Sequence, residues 1–292
     1  MGYFARARGF SMRAPAIFLV VMMVFAACRA AAAADAGAGA YADGDFAAAR
    51  ALGRAAMTAE GAARACEAGL VIGSFFERGE TRVKSLHAAL DDCARAIEAG
   101  DGDVAPYLSY AVGLAFEAKR LRSRAAALRA RRFFAETLSR FPDSGLAHAG
   151  LAGWHSNVSR EAGLVRVALG ASRAEAARGF SAALRLDPDN IAINYEYLRF
   201  LAGGAAADRR QAAAVAAKIA AAAAPDDALG RLLIERAAII ARALGGSRYE
   251  IEAALTATEP FEGVAREAPA LAYMPPFRSG FPSASQSQGA LP

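Results

Sequence analysis

The sequence predicts an all-α protein, and three observations carry the prediction. Apolar residues recur every three or four positions through most of residues 62–255, the spacing of one helix face. No run of alternating Val, Ile or Thr marks a strand. Comparable turns return about every 40 residues, at Gly61, Asp101, Pro142, Pro188 and Pro225, as they do in a chain of stacked structural repeats.

The clearest joint lies between Ala176 and Leu201. A helix with Ala176, Phe180, Ala183 and Leu184 on one face runs into Asp187-Pro188-Asp189-Asn190, and a second leaves through Ile191, Ile193, Tyr197 and Leu201. Pro188 has no backbone donor and disfavours helix in the residue before it, so the incoming helix ends near Asp187. Asp189 or Asn190 can cap the outgoing one. Small residues twelve and five before each turn let helix backbones approach, and a larger one eight before fills the gap. The three sets are Ala49, Ala89, Ala130, Ala176 and Ala213; Gly53, Cys93, Phe134, Phe180 and Ala217; and Ala56, Ala96, Thr137, Ala183 and Ala220. At the start, Gly37, Tyr41 and Gly44-Asp45-Phe46 supply a further corner.

This small–aromatic–small–Leu–turn pattern resembles the tetratricopeptide (TPR) repeat over roughly residues 36–245. The resemblance implies an α-solenoid of antiparallel helix hairpins across residues 35–246, with the first helix of each unit lining a concave face. The units here are longer than the TPR norm. About two helical turns of extra length keep the apolar face in phase, and the longest unit places its excess in Ser156–Gly170, expected to be a long connection.

Residues 1–34 read as a signal peptide. Arg6, Arg8 and Arg13 precede an apolar run from Ala14 to Ala27, too short to span a bilayer. Two processing routes fit: cleavage after Ala32-Ala33-Ala34, or lipidation of Cys28 in Phe25-Ala26-Ala27-Cys28, which resembles a lipobox. The expected location is therefore the periplasm, free or as a membrane-anchored lipoprotein. Removing the leader takes four Arg and no acidic residue from the +5 chain, leaving 30 basic against 29 acidic residues. A basic isoelectric point that resides in the leader gives no ground for a nucleic-acid partner.

Cys66 and Cys93 remain as an even pair. They are either a disulfide between the helices of one hairpin, in an oxidising compartment, or two small buried hydrophobes. Beyond Ser247 the helical pattern fades. Tyr249–Thr256 can form one more helix, five prolines between Pro260 and Pro282 break any further one, and Ser283–Pro292 has the composition of disorder. Phe261, Tyr273, Phe277 and Phe281 punctuate the segment 247–292 and suit it to lie back along the array as a cap.

Chemistry-bearing motifs are absent: no GxSxG, HExxH or GxxxxGK[ST] occurs. His87, His148 and His155 lack metal-ligand spacing and read as packing or surface residues. The expectation is a non-enzyme with no cofactor and no metal. Two binding candidates stand out. In the basic run Lys119–Arg132, Arg120, Arg124 and Arg131 fall near one helical face and suit an anionic headgroup or acidic partner; the alternative is a long solvated connection. Tyr195 and Arg199, four apart, would face the groove if the TPR resemblance holds, with Tyr197 and Leu201 in the core. The function expected is a protein-binding scaffold in the bacterial cell envelope, engaging an envelope protein on its concave face. A second expectation is an accessory periplasmic component of a transport system, since the chain is similar in outline to the T-component of TRAP transporters, which would enclose an apolar passage. An enzyme on a helical scaffold is the third.

Overall fold

The computed structural model describes residues 35–282 other than 101, 161–163, 224, 269–270 and 278–279. Residues 1–34, with the expected signal peptide and Cys28, and the Ser/Gln-rich end from 283 lie outside the described residues. Among the described residues every regular element is a helix.

The helices pair antiparallel in chain order. They are α1 (35–43) with α2 (Phe46–Ala56); α3 (Ala59–Val71, prolonged by a π-helical turn, Ile72–Phe76) with α4 (Gly79–Ala99); and α5 (Val104–Leu121) with α6 (Arg124–Arg140). Next come α7 (Gly145–Arg160) with α9 (Arg173–Leu186), bridged by a short α8 (Leu164–Leu169); α10 (Ile191–Ala202) with α11 (Ala206–Ala221); and α12 (Ala228–Ala243) with α13 (Arg248–Ala257). The first helices of successive pairs touch one another, α3 to α5 to α7 to α10 to α12, and form the inner layer of a helical solenoid.

Local chemistry sets the helix starts. Asp45, Thr58, Asp103, Ser123, Ser172, Asn190, Asp227 and Ser247 each accept an N–H from the first turn of the following helix. The positions read as small–large–small are buried in four units: Ala49, Gly53 and Ala56; Ala89, Cys93 and Ala96; Ala130, Phe134 and Thr137; Ala176, Phe180 and Ala183. In the fifth unit the expected Ala213, Ala217 and Ala220 are exposed, and Ala212, Ala216 and Ile219 are buried instead. The register there is displaced by one residue: Ala occupies both candidate faces of α11, and burial of Ile219 selects the face it shares with Ala212 and Ala216.

Two other expectations are corrected. The first turn falls at Met57-Thr58, with Met57 at φ 54°, and Gly61 sits inside α3. Gly61 serves close approach: a Cβ there would meet the Gly53 carbonyl oxygen, and a Cβ on Gly53 would lie 2.5 Å from the Gly61 oxygen. The stretch Ser156–Gly170 is largely helical, since α7 runs on to Arg160 and α8 follows.

Cys66 on α3 and Cys93 on α4 are joined by a disulfide that closes a loop with a sequence separation of 27. A cross-link of that span stabilises by about 3 kcal/mol through the unfolded chain. The Cys66→Ala/Cys93→Ala protein is expected to unfold at correspondingly lower urea. An unchanged urea midpoint would show that the bridge adds nothing.

The array also meets itself. The corner between α1 and α2 packs on the start of α12, with the Ala228 Cβ 3.1 Å from where a Gly44 Cβ would stand. Arg231 donates to the Ala42 carbonyl at 2.7 Å. Tyr41 and Phe46 share a cluster with Ala228 and Leu229, and Arg236 lies over the Phe75 ring at 4.3 Å. The first and last units therefore touch across the inner layer.

From α13 the chain crosses the array as a strap. Phe261 donates its N–H to the Ser74 carbonyl at 2.9 Å and stacks on Phe116. Arg82 and Arg120 then hold strap carbonyls, at Glu262 and at Ala268 and Leu271. Tyr273 packs on His87, and Phe277 and Phe281 pack on Tyr110. Glu136 accepts the Phe281 N–H and Arg140 donates to the Pro282 carbonyl. The strap thus runs along α5 from its C-terminal end to its N-terminal end.

Candidate functional site

The inner layer surrounds one large cavity of about 1820 Å³. Its walls are mostly apolar: Leu70 and Phe75 from the first units, Val112 and Phe116 from α5, Trp154 from α7, Ile193 from α10 and Leu233 from α12 all line it. These side chains point inward because each first helix carries its second apolar stripe away from its hairpin partner. At the C-terminal ends of α5, α7 and α10 the cavity meets α13 and the start of the strap, through Glu252, Glu259, Pro260 and Ala265.

Charge is concentrated at that floor. Lys119 pairs with Glu259 at 2.6 Å, Arg160 with Glu252 at 3.0 Å, and Arg173 with Asp208 at 2.9 Å. Arg199 stands 3.9 Å from Glu196, whose carboxyl is pushed up from its ordinary pKa by burial and by nearby Glu259, with Arg199 and Arg160 opposing. The first two pairs tie α13 and the strap to the inner helices α7 and α5.

The sequence-selected residues fall at this floor or behind it. Tyr195 is buried, its hydroxyl donating to the Thr258 carbonyl at 2.8 Å, and burial raises its pKa. Arg199 is also buried and donates to the Leu255 carbonyl and to Thr258 Oγ1. The pair expected to face an open groove instead anchors α13, because that helix lies across the C-terminal half of α10. Arg199 nevertheless borders the cavity, Tyr195 does not, and the more exposed α10 charge there is Glu196, which side-chain periodicity does not single out.

The basic run is not one helical face. Arg122 is the left-handed C-cap of α5, at φ 48°, and Ser123 caps α6, so the connection is two residues long. Arg120 is buried on α5, bonded to both Glu117 oxygens and to strap carbonyls. Arg124 and Arg131 on α6 donate to the Ala168 and Leu169 carbonyls, and Arg131 lies over the Trp154 ring. Of the three, Arg124 borders the cavity.

Among the described residues no group of His, Cys, Asp or Glu converges as a metal site. His155 accepts the Ser172 N–H at 3.3 Å through Nδ1, and burial together with Arg131 lowers its pKa. His148 contacts the Pro142 carbonyl and His87 contacts Glu117. Among the described residues no helix is long and apolar enough to cross a membrane.

Comparison with known proteins adds no relative: no protein-family model matches this chain, and no curated protein matches it.

Proposed function

We propose that the protein is a non-enzymatic binding protein of the cell envelope that works through the inner face of its helical array. The observation that carries this reading is the convergence of five first helices, from α3 to α12, on one apolar-walled cavity. Large, mostly apolar cavities with a few placed polar groups are the usual form of ligand sites. The envelope assignment rests on the signal-peptide pattern of residues 1–34.

The closure of that face narrows the partner. A folded protein presents a surface of about 800 Å² to a stable partner, and a cavity recessed among inner helices whose first and last units touch offers no such exposed face. A small molecule or a chain end fits the space. This favours the role of an accessory to a transport system, holding a solute for another component, over that of an open-groove scaffold.

Gly153 supplies the test. It lies on the cavity wall, and a Cβ placed on it meets nothing within 4 Å. Gly153→Phe is expected to project a ring into the cavity beside Trp154 and obstruct part of it without unfolding α7. The neutral apolar fluorophore N-phenyl-1-naphthylamine should bind the wild type and lose about tenfold or more in affinity to the variant. Equal binding by both proteins would remove the part of the cavity beside Gly153 as the site.

A further inference from the structure

The ion pair at the cavity floor is asymmetric. Of its two side chains, Arg199 is 4% exposed and Glu196 is 32% exposed. Arg199 borders the cavity, but its side chain is almost wholly covered and is fastened to Leu255 and Thr258 of the α13 segment. Glu196 lines the cavity. At 3.9 Å from Arg199 the carboxylate is beyond hydrogen-bond distance, and among the described residues no N–H or O–H donates to it. A part-buried carboxylate without a hydrogen-bond donor is incompletely satisfied unless something completes it.

Resting on the reading of the cavity as a ligand site, we propose that it takes an amphipathic amine, with the protonated amino group donating to Glu196 and the apolar body lying among Phe75, Phe116, Trp154 and Leu233. Three features favour an amine over an amphipathic anion. Of the two charges that border the cavity here, the carboxylate is the more accessible, while the guanidinium is nearly covered and already donates to Leu255 and Thr258. Lys119, Arg160 and Arg173, the other cations at the floor, are already paired with Glu259, Glu252 and Asp208. Arg122, Arg124 and Arg248 border the cavity but are exposed, where solvent and salt screen them. A charge-assisted hydrogen bond made inside the cavity outweighs such screened contacts.

Trp154, the sole tryptophan of the chain, lines the same cavity and reports occupancy by its fluorescence. Dodecylammonium and dodecanoate, matched in chain length and used below micelle formation, are titrated into wild type, Glu196→Gln, Glu196→Asp and Gly153→Phe. Wild type should bind dodecylammonium about tenfold or more tighter than dodecanoate. Glu196→Gln should remove the preference, Glu196→Asp should retain part of it, and Gly153→Phe should weaken both ligands. Dodecanoate binding as tightly as the amine, or a preference that survives Glu196→Gln, overturns the amine assignment. If N-phenyl-1-naphthylamine still binds in that case, the cavity stands and only its ligand class falls. If neither amphiphile nor the fluorophore binds, the cavity reading fails and the amine assignment fails with it.

Discussion

Glu117→Ala is expected to cost the fold about 3–5 kcal/mol, the usual penalty for leaving one partner of a buried ion pair alone. Glu117 is 4% exposed, and the Arg120 side chain beside it is fully buried. The carboxylate accepts from Arg120 through both oxygens, from the Tyr273 N–H at 3.0 Å, and contacts His87 Nε2 at 3.2 Å. Its removal strands the guanidinium and takes one anchor from the strap. Urea unfolding measures the loss, and a drop of less than about 1 kcal/mol would show that strap carbonyls alone satisfy Arg120. The same group sets an acid limit. Burial pushes the Glu117 carboxyl up, but the hydrogen bonds from His87, Arg120 and Tyr273 outweigh it and hold the group at about 2, against 4.5 ordinarily. A depressed carboxyl stabilises the fold above its unfolded pKa, and that contribution disappears as pH falls through the folded value. The stability gap between wild type and Glu117→Gln should therefore narrow between pH 4.5 and about 2.

Phe261→Ala is expected to cost about 3–5 kcal/mol, as truncation of a fully buried aromatic ring does. Phe261 has no exposed surface and stacks on Phe116 at 4.3 Å between centroids. It packs so closely on the π-helical turn that a Cβ on Gly73 would lie 3.0 Å from its ring. Its backbone is held at φ 54°, unusual for a residue with a bulky side chain, so the ring's packing and the N–H bond to Ser74 together impose that conformation. Without the ring the strap loses the contact on which its course depends. Cleavage after Ala257 by added protease should accelerate along with the loss of stability. Unaltered cleavage would mean that Tyr273, Phe277 and Phe281 suffice to hold the strap.

The sequence made the local features legible. Pro142 and Pro188 mark real helix joints, Asn190 caps α10 as the turn chemistry requires, and Phe134 and Phe180 occupy the interior of their hairpins. Each of these depends on residues within one or two helical turns. The features that could not be read depend on distant segments. Arg120 looked like a surface cation because its helix face is amphipathic, and only the strap, some 150 residues on in the fold, covers it. The TPR resemblance places Tyr195 and Arg199 in an open groove, and nothing in α10 announces that α13 lies on it. The disulfide stood open between two readings because spacing alone does not orient two side chains. Nothing in the sequence marks Glu196, because a lone Glu on an amphipathic helix is ordinarily a solvated one.

The contact between Arg231 and the Ala42 carbonyl changes what kind of object the array is. In an open stack each unit leans only on its neighbours, and unravelling starts cheaply from whichever terminus is weaker. With Ala228 seated on Gly44 and Leu229 beside Tyr41 and Phe46, neither terminus is a loose end. Opening anywhere must break a seam and a neighbour contact together. A sequence of semi-independent modules then melts as one cooperative body, and the cavity inside it persists for as long as the circuit holds.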